Sequence, residues 1–129
     1  MAQYISSVTL LVPDYDEAIA FYAGVLGFAL VEDRALSETK RWVRVAPAGA
    51  RETCLLLAKA DGEIQRSRIG NQTGGRVGFF LTTDDFARDH AAMLAKGIPF
   101  LESPRTEPYG IVAVFQDPFG NTWDLIQPA

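Results

Sequence analysis

An α+β fold made of two tandem βαβββ modules is what this sequence predicts, and three observations predict it. Short runs of alternating apolar and polar residues recur along the chain, as half-buried strands require. Two stretches of helical spacing, each opened by a capping residue and closed by a glycine, interrupt them. The second half then restarts the pattern of the first. A shift of 69 residues places Val8 on Val77, Leu10 on Phe79, Ala18 on Ala87 and Val25 on Leu94. The same shift sets Ser7 on Arg76, and a shift of 68 sets Leu56 on Asp124. Each half is expected to form a four-stranded unit, the whole making a cupped, mostly antiparallel sheet.

The elements follow in order. Residues 5–12 alternate, with Val8, Leu10 and Val12 on one face and Ser7, Thr9 and Leu11 on the other. Pro13 ends that strand, and Asp14 with Glu17 has capping-box spacing. Ala18, Phe21, Tyr22 and Val25 recur at helical intervals up to Gly27. Strands are expected at 28–34, 41–46 and 53–58. Residues 59–74 are polar and glycine-rich and read as the one internal linker. The expected organisation is one domain over 1–129, with module 1 at about 1–60, the linker at about 61–74 and module 2 at about 75–129.

In the second half, Val77, Phe79 and Leu81 share one strand face, and Arg76, Gly78 and Phe80 share the other. Thr83 or Asp84 is expected to cap a helix whose apolar positions include Phe86, Ala87, Met93 and Leu94, with Gly97 as its stop. Strands at 98–101, 111–115 and 121–126 complete the set. Asp117-Pro118-Phe119-Gly120 reads as a hairpin turn, since Pro118 presets φ and Gly120 accepts positive φ. Beyond it Trp123 and Leu125 point one way; Thr122, Asp124 and Ile126 point the other. If the Val8 and Val77 faces pack on the helices, the opposite faces enclose a ligand. Ser7, Thr9, Leu11, Leu56, Arg76, Phe80 and Asp124 would line that cup.

Composition narrows the function. The chain has 129 residues and a formal net charge of −4, which gives no support for nucleic-acid binding. No apolar run approaches the ~20 residues that span a bilayer, so no membrane partner is expected. No basic segment followed by an apolar one opens the chain, and the single cysteine, Cys54, rules out an internal disulfide. A cytoplasmic protein is the expectation.

Val8-x-Leu10-x-Val12-x-Asp14, Ala18-Ile19-Ala20-Phe21-Tyr22 and Leu26-Gly27-Phe28, followed near the end by Asp117-Pro118-x-Gly120-Asn121-x-Trp123-Asp124-Leu125, resemble the vicinal-oxygen-chelate superfamily. That superfamily covers glyoxalases, bleomycin-resistance proteins and extradiol dioxygenases. The resemblance implies the βαβββ pair, a homodimer, and in catalytic members a divalent metal held by the first and last strands of each module. Those positions map to Ser7, Leu56, Arg76 and Asp124. Only Asp124 is a metal ligand of the usual strength; Leu56 has no donor and Arg76 is a fixed cation. No metal and no cofactor are therefore expected. Arg76 and Asp124 are expected to pair where relatives hold the metal, either as a structural ion pair or in contact with ligand.

Trp42 shares a strand face with Arg44, to stack on a ligand or to cover a dimer contact. Tyr109, in the turn Pro108-Tyr109-Gly110, either closes over the cup or is a plain surface aromatic. His90 falls within the second helix, and Trp123 reads as core. The leading function is a metal-free binder that sequesters an organic small molecule, as bleomycin-resistance-like proteins do. Two alternatives stand. One is a lyase, isomerase or dioxygenase that uses a relocated metal or Asp124 as general base. The other is a non-catalytic protein-interaction module.

Overall fold

Asp14 and Asp85 start the two principal helices in the same way. Asp14 Oδ2 accepts a hydrogen bond from the Glu17 N–H at 3.0 Å, and Asp85 Oδ1 accepts one from the Arg88 N–H at 3.1 Å. Each bond satisfies an amide that the first turn of a helix leaves without an internal partner. The second cap is thus Asp85, one or two residues later than the sequence suggests. Thr83 instead accepts the Asp85 N–H at 3.1 Å and donates to Asp89, bracing the entry to that helix.

The computed structural model describes residues 2–129. Along the chain the elements are β1 (Ser7–Val12), α1 (Tyr15–Ile19, continued by a π-helical stretch Ala20–Val25), β2 (Ala29–Ala35), β3 (Arg41–Ala46), β4 (Cys54–Lys59), α2 (Gly62–Ser67), β5 (Phe79–Thr82), α3 (Phe86–Ala95), β6 (Arg105–Glu107), β7 (Gly110–Gln116) and β8 (Thr122–Pro128). The chain divides after Ile69 into two units. Each holds one mixed four-stranded sheet, ordered β1-β4-β3-β2 in the first and β5-β8-β7-β6 in the second. In both, the first strand runs parallel to the last and the other pairs are antiparallel. This is the βαβββ repeat.

Register corrects the alignment of the two halves. Thr9 pairs with Leu56 in the first sheet, and Phe80 pairs with Asp124 in the second. Taking Leu56 and Asp124 as counterparts, Thr9 corresponds to Phe80, a shift of 71, and Ser7 corresponds to Gly78 rather than Arg76. The two caps, Asp14 and Asp85, show the same shift. By the glycines that end the helices, Gly27 and Gly97, it has fallen to 70. The difference is one extra residue in the first helix, taken up by its π-helical turn, where the Leu26 N–H donates to Phe21 O at 2.7 Å.

The core of the first unit is built from Leu10, Val12, Tyr22, Val43, Val45 and Leu57, all without solvent contact. In the second unit Trp123 stacks between Phe79 and Phe115, with ring centroids at 4.8 and 5.7 Å. His90 lies between Phe86 and Phe100 at 5.3 and 4.5 Å, so it serves as a packing ring on α3. Of the apolar positions expected on this helix, Phe86 and Met93 are buried while Ala87 and Leu94 are exposed.

Two further expectations need correction. The stretch 59–74 is not wholly a linker, since α2 lies within it. The strand expected at 98–101 shrinks to a single bridge, Phe100 with Phe115. Pro99 has no N–H and Pro104 interrupts again, so the chain follows β7 only in pieces and its regular strand is β6. The turn before β8 forms as expected: Gly120 has φ near +100°, and the buried Asp117 carboxylate accepts from the Phe119 N–H, the Asn121 N–H and the Asn121 side-chain amide at 2.7–2.9 Å.

Candidate functional site

Alternation along β8 sends Trp123 and Leu125 into the core of the second unit, and so sends Asp124 to the opposite face of the sheet. There its neighbours are Phe80 on β5 and Val114 on β7. Phe80 is 66% exposed, a large ring left uncovered beside a carboxylate. Asp124 Oδ1 is itself shielded from solvent and has no hydrogen-bond partner. Burial pushes the Asp124 carboxyl above its ordinary range; the Arg105 guanidinium pulls it back down, and the Glu102 carboxylate adds to the rise.

Arg105 is tied up elsewhere. Its Nε donates to Glu102 at 2.9 Å, and its Nη1 donates to Glu107 at 2.9 Å and to the Tyr109 hydroxyl at 3.3 Å. Those contacts raise the Arg105 pKa further and leave Asp124 only a through-space attraction. Tyr109, 52% exposed, is thereby fixed next to this network. Sequence reasoning missed Arg105 and Glu102. The Glu-x-x-Arg-x-Glu spacing of residues 102–107 was a signal, hidden because the strand was expected earlier at 98–101.

Arg76 does not pair with Asp124. It is exposed, precedes β5, and borders a separate small cavity of about 80 Å³ with Gly70, Gly78, Asn121 and Thr122. The expected ion pair therefore fails. Asp124 is level with Phe80, four residues further on than Arg76.

In the first unit, Ser7, Thr9 and Leu11 lie on the same sheet face as Leu56, with Trp42 further across on β3. Arg44 stands opposite Leu56; it donates to Glu32 at 2.9 Å and approaches the buried Cys54 thiol at 3.6 Å. This pair too was unread in the sequence, because only the β2–β3 register brings Glu32 to Arg44.

The residues present do not fit a resident metal ion. At the positions that the resemblance maps to a metal, the first module has the Ser7 hydroxyl and Leu56, and the second, by strand register, has Gly78 and Asp124. Among the described residues no three His, Cys, Asp or Glu side chains gather as a ligand set. Among the described residues, no helix is long and apolar enough to cross a membrane.

Known proteins share the chain's sequence and fold along nearly its whole length. An uncharacterized protein of Shewanella frigidimarina is 52% identical over 128 residues, covering 98% of this chain and 95% of the relative. The crystal structure of UcmS2 superposes with a TM-score of 0.84 at 30% identity, covering 98% of both chains. TnmS3, described as an antibiotic binding protein from Streptomyces sp. CB03234, superposes with a TM-score of 0.79 at 31% identity, covering 99% of this chain and 98% of that one. A family model matches residues 4–125, and with it the chain belongs to the Glyoxalase/Bleomycin resistance protein/Dioxygenase superfamily.

Proposed function

We propose that this protein binds an organic small molecule on the open face of its second sheet, without a metal ion, and sequesters it without chemical change. One observation carries the reading: Asp124 Oδ1 is a shielded acceptor with no partner, beside the uncovered ring of Phe80. An unmatched buried acceptor costs about 1–3 kcal/mol, a cost that a ligand donor would remove. The Phe80 ring adds apolar area for the ligand to cover. The description of TnmS3 as an antibiotic binding protein supports the same class of ligand. The binder is proposed to work in the cytoplasm as a homodimer; exposed Leu30 and Val31 on β2 are apolar surface for a second copy.

Native mass spectrometry of protein purified without chelator tests this. The expected result is a bound organic mass that the Asp124→Leu variant loses, with divalent metal far below one equivalent. A stoichiometric zinc, nickel or iron content would overturn the reading.

The raised pKa of Asp124 favours a second reading, in which it acts as a general base in a lyase or isomerase. Recovery of a chemically altered ligand from wild-type protein, but not from Asp124→Asn, would select it.

A further inference from the structure

On the first unit, a cavity of about 460 Å³ is walled by Tyr15, Thr39, Lys40, Lys59, Asp61 and Arg66. Its size lies within the ~300–1,000 Å³ of small-molecule sites. Its charge is unusual for this chain: three cations face one carboxylate on a protein whose net charge is −4. Two arginines of this unit near the cavity or on its sheet are committed elsewhere. Arg41 is held by Asp33 and Asp16, and Arg44 by Glu32. Among the described residues, Lys40, Lys59 and Arg66 form no ion pair. A concave wall of unpaired cations concentrates the field and draws an anion.

The wall is anchored to regular structure. Lys40 sits in a turn closed by its own N–H to Ser37 Oγ at 3.1 Å and by the Leu36 N–H to Lys40 O at 2.8 Å. Lys59 ends β4 opposite Val12. Arg66 lies on α2, whose Gln65 accepts the Asp61 N–H at 2.8 Å. Tyr15 is 7% exposed, and its hydroxyl accepts the Arg41 N–H at 3.2 Å, leaving its own proton to give. Alternation puts Lys59 on the side of Leu57, away from the face that carries Thr9 and Leu56. The cavity is therefore distinct from the ligand faces described above.

We propose that this cavity binds a small organic molecule bearing a phosphate or other polyanionic group, gripped by Lys40, Lys59 and Arg66 and hydrogen-bonded by the Tyr15 hydroxyl. Three cations less the Asp61 carboxylate suit a dianion. The cavity's volume exceeds that of a bare ion and leaves room for an organic body.

The test is amide NMR titration of the full chain with inorganic pyrophosphate and, in a second arm, citrate. Saturable shifts at Lys40, Arg41 and Asp61, weakening as salt is raised, are expected. Tighter binding of pyrophosphate marks a phosphate ligand, and tighter binding of citrate a carboxylate one. Lys40→Gln with Arg66→Gln should weaken binding about tenfold, as expected for losing charge-assisted contacts. Asp61→Asn should strengthen it. Arg68→Gln, which removes one positive charge from an exposed residue outside the wall, should leave affinity unaltered. Absence of saturable shifts at these amides, or an equal loss in Arg68→Gln, would overturn the proposal.

Discussion

Phe80 stands directly opposite Asp124 across the parallel pairing of β5 with β8, so an exposed ring and a shielded, unpartnered carboxylate oxygen share one patch of sheet. A ligand that stacks on the ring and donates to the oxygen gains from both contacts together. Phe80→Ala and Asp124→Leu should each weaken the co-purified ligand by about tenfold, on the order of one aromatic contact or one matched buried acceptor. Isothermal titration with the recovered ligand measures this. Equal affinity in both variants would remove this patch from the site.

The same carboxylate gives a pH signature. Burial raises the Asp124 pKa above its unfolded value, so the folded protein holds this proton more tightly than the unfolded chain. Its contribution is favourable in acid and is lost as pH rises through the folded pKa. Asp124→Asn should therefore be more stable than wild type at neutral pH, by about 1 kcal/mol if only the carboxylate's desolvation is relieved. The advantage should vanish as pH falls below the ordinary carboxyl range. Denaturant melts of both proteins across pH check it; a constant difference at all pH values would contradict the assignment.

Asp117 should matter for stability alone. Its buried carboxylate accepts three N–H groups of the turn into β8. Asp117→Ala strands buried donors, at a cost of about 2–3 kcal/mol. Thermal denaturation should show the loss, while ligand affinity per folded molecule stays unchanged.

Two glycines should respond in opposite senses. Gly24 lies in the π-helical turn with open space where a Cβ would go, so Gly24→Ala should stabilise by about 0.5–1 kcal/mol. Gly110 has φ near +147° and starts β7 against β8, where a Cβ would lie 2.2 Å from Gln127 O. Gly110→Ala should destabilise by more than about 2 kcal/mol. Chemical denaturation of the pair checks both signs.

The repeat, the helix stops and the β7–β8 hairpin were legible because each is written in neighbouring residues. Capping aspartates, alternation along a strand and an Asp-Pro-x-Gly turn act over a few positions. Asp124 was found for the same reason: its parity against the buried Trp123 and Leu125 is a local fact. The sequence by itself thus determined the fold class and which side of β8 carries the carboxylate. Tertiary structure decided the rest. It set Phe80 rather than Arg76 level with Asp124, made Gly78 the counterpart of Ser7, and brought Arg105 and Glu102 within electrostatic reach of the carboxylate. These depend on the register between strands far apart in the chain. Strand pairing and core packing fix that register together, and a slip of two residues keeps every side chain on its face while exchanging its neighbours.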